Sequence, residues 1–131
     1  MTVIFACVHN AGRSQMAAAF FNVHANTAVV TAVSAGTQPA ERVNPVVVDA
    51  MAEVGIDVSA AVPQRLTADL AADARLLITM GCGDACPFVP GLEVLDWPLP
   101  DPKGRPIEHV RAIRDEVRQR VLALVKERAW A

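Results

Sequence analysis

Short apolar runs alternate with helix-forming segments along the whole chain, and this alternation limits the possible folds to very few. The sequence predicts strands at Val3–Ala6, Ala28–Val33, Leu76–Met80 and Leu92–Trp97. It predicts helices at Ser14–Ala25, at Pro45–Val54, after a Thr67 cap through Ala72, and at Ile107–Arg128. Strands that alternate with helices form a parallel sheet covered on both faces. We therefore expect an α/β fold, a three-layer α/β/α arrangement around a four-stranded parallel sheet, in one domain over residues 1–131.

Composition and charge exclude several classes of protein. The longest apolar runs, such as Met16–Phe21, are far shorter than the about 20 residues that span a bilayer. The net charge of −2, with no basic stripe, does not suit a nucleic-acid binder. Three cysteines are an odd number, and the first residues lack a basic leader, which argues against a secreted disulfide scaffold. We expect a cytoplasmic protein that binds neither membranes nor nucleic acid.

A loop with the spacing C-x5-R-S follows the first predicted strand and leads into the first predicted helix. Its residues are Cys7, Val8, His9, Asn10, Ala11, Gly12, Arg13 and Ser14. Such a loop points backbone N–H groups at one spot, where the helix N-terminus and the planar fork of Arg13 favour a tetrahedral oxyanion. The same field would stabilise a thiolate at Cys7, and Ser14 could donate a hydrogen bond to the sulfur. The pattern predicts an oxyanion-binding loop that carries its own nucleophile, rather than an inert buried cysteine.

The residues that follow Cys7, VHNAGRSQMA, resemble arsenate reductases built on the low-molecular-weight tyrosine phosphatase fold. The likeness continues through Ser34–Thr37, Val43–Pro45, Gly55–Asp57, Thr79–Cys82 and Asp96–Pro102. The resemblance implies the phosphotyrosine phosphatase I-like form of the α/β/α fold. It also implies that the loop binds arsenate, with sulfate or phosphate as mimics, and that Cys7 attacks it.

Two further cysteines, Cys82 and Cys86, follow the third predicted strand. On a helical turn, positions i and i+4 share a face, within the range that a disulfide allows. The resemblance implies that Cys82 attacks the Cys7 adduct and releases arsenite, and that Cys86 then resolves the Cys7–Cys82 disulfide. No tightly bound cofactor is implied, only an external reductant: thioredoxin, or mycothiol with mycoredoxin.

Other interpretations of these cysteines stay open at this point. Cys7, His9, Cys82 and Cys86 could form a zinc site, although a single C-x3-C pair is a weak signal and Arg13 would disfavour the metal. Cys82 and Cys86 could instead be structural, with a small thiol such as mycothiol attacking the adduct on Cys7 alone. Some relatives bind potassium through an acidic residue on the first helix, where this chain has Ala18.

Asp101 lies in a proline-rich loop, and the resemblance makes it the general acid that protonates a leaving oxygen. A low-molecular-weight tyrosine phosphatase is the main alternative function. Such enzymes usually flank this Asp-Pro with tyrosines, whereas this chain has no tyrosine and continues with Lys103-Gly104. A non-catalytic oxyanion sensor would be expected to lack Cys7, Arg13 or Asp101, and all three are present.

Overall fold

A four-stranded parallel sheet organises the structure, a computed structural model that describes residues 1–81 and 90–131. The strands, in the spatial order β2-β1-β3-β4, are β1 (Thr2–Cys7), β2 (Thr31–Gly36), β3 (Leu76–Thr79) and β4 (Glu93–Asp96). The helices are α1 (Arg13–His24), α2 (Pro45–Ala52), α3 (Ala68–Ala72) and α4 (Ile107–Glu127). The predicted α/β fold with four parallel strands is confirmed.

Alternation along β1 divides the core between the two faces of the sheet. Val3, Phe5 and Cys7 belong to the larger cluster, which includes the buried residues of α1, α2 and α4. Ile4 and Ala6 point to the opposite face, where a smaller cluster includes Ala71 of α3. The buried side of α4 consists of the predicted positions Val110, Ile113, Val117, Val121, Leu124 and Val125, joined by Arg114. The three-layer prediction is therefore confirmed.

The prediction for the second strand was wrong at both ends. Ala28 and Val29 lie in a turn, because the Asn26 carbonyl accepts from the N–H groups of Val29 and Val30. The strand then continues to Gly36, which pairs with Cys7. Its β-branched composition marks a strand but does not fix where pairing begins. The other predicted bounds differ from the observed ones by one or two residues.

Helix α2 is fixed at both ends, and its N-terminus borders the site described below. The Asn44 side chain caps it, accepting from the N–H of Val46 at 2.9 Å. At the other end, the Glu53 carboxylate forms ion pairs with the guanidinium groups of Arg111 and Arg114 of α4, at 2.6 and 2.9 Å. The hydrogen bond from Arg111, with a further contribution from Arg114, lowers the pKa of Glu53 to about 2. Glu53 therefore stays ionised at neutral pH and ties α2 to α4.

The predicted pair Cys82 and Cys86 lies outside the described residues, in the range 82–89. Among the helices of residues 1–81 and 90–131, none is long and apolar enough to cross a membrane.

Candidate active site

The loop from Cys7 to Ser14, called here the oxyanion loop, lies at the carboxyl edge of the sheet, where strand order changes direction. Cys7 ends β1 beside Gly36 of β2, and the N–H of Met80 donates to the Ala6 carbonyl at 2.7 Å on the β3 side. In open parallel sheets, ligands bind at this edge and at this switch point. The predicted oxyanion-binding loop therefore lies where the sheet topology favours a ligand.

The backbone carbonyl groups of residues 7–12 in the oxyanion loop all accept hydrogen bonds, either from residues 37–44 or from the start of α1. Those of Cys7, Val8, His9 and Ala11 accept from the N–H groups of Thr37, Gln38, Ala40 and Asn44. The Asn10 carbonyl accepts from the Gln15 side chain and the Gly12 carbonyl from the Met16 N–H. The N–H groups of residues 9–12 donate to no acceptor within residues 1–81 and 90–131. These N–H groups need an acceptor, and an oxyanion supplies one.

The backbone of the oxyanion loop is held by two tight local requirements. Asn10 is completely buried and has a φ of 50°, in the left-handed region that asparagine tolerates better than most residues. Gly36 packs directly beneath it, since a Cβ there would lie 2.6 Å from the Val8 carbonyl oxygen and 2.9 Å from the Asn10 nitrogen. The end of β2 therefore packs closely against the backbone of the oxyanion loop.

Cys7 is a free cysteine and only 2% exposed. Its Sγ lies 2.9 Å from the Ser14 Oγ. The same oxygen accepts a hydrogen bond from the Asn10 Nδ2 at 2.7 Å. The predicted contact between Ser14 and the nucleophile sulfur is therefore present. Ser14 lies in the first turn of α1, so the helix N-terminus adds its partial positive charge near the thiol.

Arg13 is 5% exposed, and the two terminal nitrogens of its guanidinium each face an oxygen atom. The Nη1 donates to the Leu99 carbonyl at 3.0 Å, and the Nη2 lies 3.7 Å from the Asp101 Oδ2. The Nε is buried and has no partner in the described part of the chain, so it is available to a bound oxyanion. Gly81, with φ +98°, makes room for this arrangement: a Cβ there would lie 2.4 Å from the Arg13 Nη1.

Asp101 reaches the site on a loop that packs against the oxyanion loop. A Cβ at Gly12 would lie 2.6 Å from the Pro102 Cγ, so only glycine allows this contact without displacement. The Asp101 Oδ1 accepts from the Lys103 N–H at 3.0 Å, and the side chain remains 44% exposed. One carboxylate oxygen thus orients the group, while the other faces Arg13.

These elements enclose a cleft of about 200 Å³. Cys7, Arg13 and Asp101 line it together with His9, Ala11 and Gly12 of the oxyanion loop. Arg42 and Lys103 also line it, and both are exposed at its mouth. The sequence predicted no role in the site for either cation or for the Leu99 carbonyl. A backbone acceptor such as the Leu99 carbonyl cannot be identified from residue type. Lys103 could have been predicted to lie near the site, because it follows directly after Asp101-Pro102.

The zinc interpretation needs Cys82 and Cys86, which the described residues do not include. Within residues 1–81 and 90–131, no group of three or more His, Cys, Asp or Glu side chains is placed to hold a metal ion.

Known proteins similar to this chain agree with the geometry. A solved thioredoxin-dependent arsenate reductase of Corynebacterium glutamicum is 40% identical, with a TM-score of 0.83, and the match covers 96% of this chain. The match covers 60% of that longer chain. An arsenate reductase of Brevibacillus brevis is 36% identical over 124 residues, covering 92% of this chain and 90% of the relative. A glutaredoxin arsenate reductase of Synechocystis sp. is 34% identical over 126 residues, covering 94% and 95%.

The resemblance stated from the loop motif is therefore confirmed by relatives that match over nearly the whole chain. A family model described as low molecular weight phosphotyrosine protein phosphatase matches residues 2–129. On that match, and on the parallel sheet with its C-x5-R-S loop, this chain belongs to the low molecular weight phosphotyrosine protein phosphatase family.

Proposed function

We propose that this protein reduces arsenate to arsenite with Cys7 as the nucleophile. The observation that carries the proposal is that Cys7, Arg13 and Asp101 line one cleft together with His9, Ala11 and Gly12 of the oxyanion loop. The N–H groups of these three loop residues and the Arg13 Nε have no acceptor among residues 1–81 and 90–131. These groups provide a nucleophile, donors for oxyanion charge and a proton donor. The relatives named arsenate reductases support the choice of substrate.

The first step of the proposed reaction is a substitution at arsenic. The Cys7 thiolate forms a sulfur–arsenic bond, and one arsenic–oxygen bond breaks. The departing hydroxyl oxygen takes a proton from Asp101, which acts in its protonated carboxylic acid form, and leaves as water. The loop N–H groups and Arg13 hold the remaining oxygens while negative charge is redistributed among them. Ser14 stabilises the thiolate before the attack.

The second part of the proposal is a thiol–disulfide relay. The Cys82 thiolate attacks the Cys7 sulfur, and the electron pair of the sulfur–arsenic bond goes to arsenic, which leaves as arsenite. Two sulfurs are oxidised, giving a Cys7–Cys82 disulfide, while arsenic gains two electrons. Cys86 then attacks Cys82, frees Cys7 and leaves a Cys82–Cys86 disulfide for an external reductant. Gly81 supports this route, because Cys82 is the next residue in the sequence and a Cβ at Gly81 would lie 2.4 Å from the Arg13 Nη1.

The external electron donor is a thiol system of a reducing cytoplasm. The relatives named above include a thioredoxin-dependent and a glutaredoxin arsenate reductase. We propose thioredoxin for this chain, because two cysteines beyond Cys7 permit a disulfide that thioredoxin can reduce. Mycothiol with mycoredoxin is the alternative, and it would require Cys7 alone.

A steady-state assay of arsenate reduction with each reductant system tests the proposal. We expect arsenate-dependent oxidation of thioredoxin by the wild-type protein. Cys82→Ser should abolish that turnover, because a serine at position 82 can neither attack the Cys7 sulfur nor form the Cys7–Cys82 disulfide that Cys86 resolves. Turnover of Cys82→Ser with mycothiol and mycoredoxin would instead identify the single-cysteine route. Rapid aryl-phosphate hydrolysis with no arsenate-dependent oxidation of either reductant would contradict the proposed function.

Phosphatase activity is the second candidate, favoured by the family match and by the shared first step. Thiolate attack on phosphorus needs the same loop, arginine and acid. We expect it to be weak, because no tyrosine is available to flank Asp101 and the cleft mouth carries Arg42 and Lys103. Two cations at the mouth suit a small, doubly charged inorganic anion.

The cations at the mouth lead to a prediction about salt dependence. Replacing Arg42 and Lys103 together by alanine should lower kcat/KM for arsenate about tenfold at low ionic strength, because their field attracts the anion. The deficit should shrink as salt is raised, since exposed charges are screened. The control removes the same charge from α4, with Arg118 and Lys126 replaced by alanine. Equal losses in both variants, or a loss that salt leaves unchanged, would rule out this role.

A further inference from the structure

We propose that Gln15 is a positioning residue that sets the direction of the hydrogen bonds leading to Cys7. Gln15 follows the C-x5-R-S motif and is 6% exposed, although its amide is polar. Its Nε2 donates to the Asn10 carbonyl at 3.0 Å and lies 3.2 Å from the Asn10 Oδ1. The inference rests on Cys7 being the nucleophile, and it holds whichever oxyanion Cys7 attacks.

The orientation of the Asn10 amide follows from its neighbours. The backbone N–H of Gln64, which is always a donor, lies 2.9 Å from the Oδ1 of Asn10. The Gln15 amide faces the same oxygen and also the Asn10 carbonyl oxygen, so it too presents its NH₂ group. Two donors on one side hold the Asn10 oxygen there. The Nδ2 of Asn10 must then point the other way, toward Ser14.

The direction of the next hydrogen bond depends on this orientation. The Asn10 Nδ2 donates to the Ser14 Oγ at 2.7 Å, so the hydroxyl oxygen is an acceptor in that contact. Within residues 1–81 and 90–131, the other hydrogen-bond partner of this hydroxyl is the Cys7 Sγ, at 2.9 Å. The single hydroxyl proton is therefore directed at the sulfur, where it stabilises a thiolate. Gln15 acts on Cys7 through Asn10 and Ser14 without touching the substrate.

The effect of Gln15 must be separated from the charges around Cys7. The charged and titratable side chains that share the cleft with Cys7 are His9, Arg13, Arg42, Asp101 and Lys103. None of these five side chains is altered by a substitution at Gln15. A carboxylate at position 15 would face two oxygens of Asn10, which favours reversal of the Asn10 amide. Reversal would direct the Ser14 hydroxyl at Asn10 and remove its proton from Cys7.

The experiment compares Gln15→Glu and Gln15→Met with the wild-type protein. The readout is the alkylation rate of Cys7 by iodoacetamide as a function of pH, measured on the Cys7-containing peptide so that other cysteines do not contribute. We expect the midpoint of the Gln15→Glu profile to rise by about one pH unit, with kcat falling about tenfold and KM changing less. Gln15→Met removes both donors without adding charge, and it should shift the profile in the same direction by less.

Asn22→Asp is the matched control. Asn22 lies on the same helix, and its amide bonds the backbone of Ala32 at 2.8 and 2.9 Å. The change replaces an amide by a carboxyl far from the loop and should lower thermal stability without moving the Cys7 profile. An unmoved profile in folded Gln15→Glu and Gln15→Met, or an equal shift in Asn22→Asp, would overturn the inference. If the wild-type protein reduces no arsenate but the Gln15 shift is observed, the proposed function fails and this inference stands.

Discussion

Replacement of Cys7 by serine is expected to reduce arsenite production to the uncatalysed background with either reductant system. A serine hydroxyl at this position is not ionised near neutral pH, so it is a far weaker nucleophile than a thiolate. It also cannot form a disulfide, so even if an ester to arsenic forms, there is no sulfur–arsenic bond whose electron pair Cys82 could drive onto arsenic. Arsenite produced per unit of enzyme, measured with thioredoxin and with mycothiol and mycoredoxin, checks this result.

The control for Cys7→Ser is oxyanion binding. The loop N–H groups and the Arg13 Nε do not depend on the sulfur, so calorimetry should still detect binding of sulfate or arsenate to the variant. Retained binding together with lost turnover would assign the defect to chemistry rather than to folding. Arsenite production above background in Cys7→Ser would show that another residue is the nucleophile.

The parts of the fold that sequence reasoning predicted correctly are those fixed by local chemistry. Asn44 and Pro45 marked the start of α2 because a side-chain acceptor followed by proline suits a helix N-terminus. The placement of Cys7, Arg13 and Ser14 around one loop followed from a short spacing between a strand and a helix. The position of this loop at the carboxyl edge of the sheet agrees with that spacing, since the loop follows directly after a parallel strand.

The parts that were missed depend on contacts between distant segments. The Leu99 carbonyl reaches Arg13 across 86 positions of sequence, and a backbone group has no signature in the residue name. Glutamine is usually a surface residue, and the role proposed for the buried Gln15 becomes apparent only once the Gln64 N–H is seen to approach the same Asn10 oxygen. The start of β2 was misplaced for a related reason, since pairing with β1 and not composition decides where that strand begins.

Arg13→Lys is expected to lower kcat/KM for arsenate by about 10²- to 10³-fold, the loss typical of removing a donor from an oxyanion site. The Arg13 Nη1 binds the Leu99 carbonyl and the Nη2 faces Asp101, while the Nε has no partner within residues 1–81 and 90–131 and is the donor that we expect to bind the oxyanion. A lysine ammonium keeps the charge but is one point without the planar fork, so it cannot hold the Leu99 carbonyl and the oxyanion together. Steady-state kinetics and calorimetric affinity for sulfate should both report the loss.

The control for the Arg13 substitution is Arg120→Lys on α4. The Arg120 Nε binds the Glu116 carboxylate at 2.9 Å on the surface, so the same chemical change there should leave catalysis within twofold of the wild type. If Arg13→Lys also stays within about threefold, charge alone suffices and the fork geometry is not used. If it loses activity while sulfate affinity is unchanged, the guanidinium acts on the reacting oxyanion and not on its initial binding. The expected loss of both would locate the Arg13 Nε at the oxyanion from the first encounter onward.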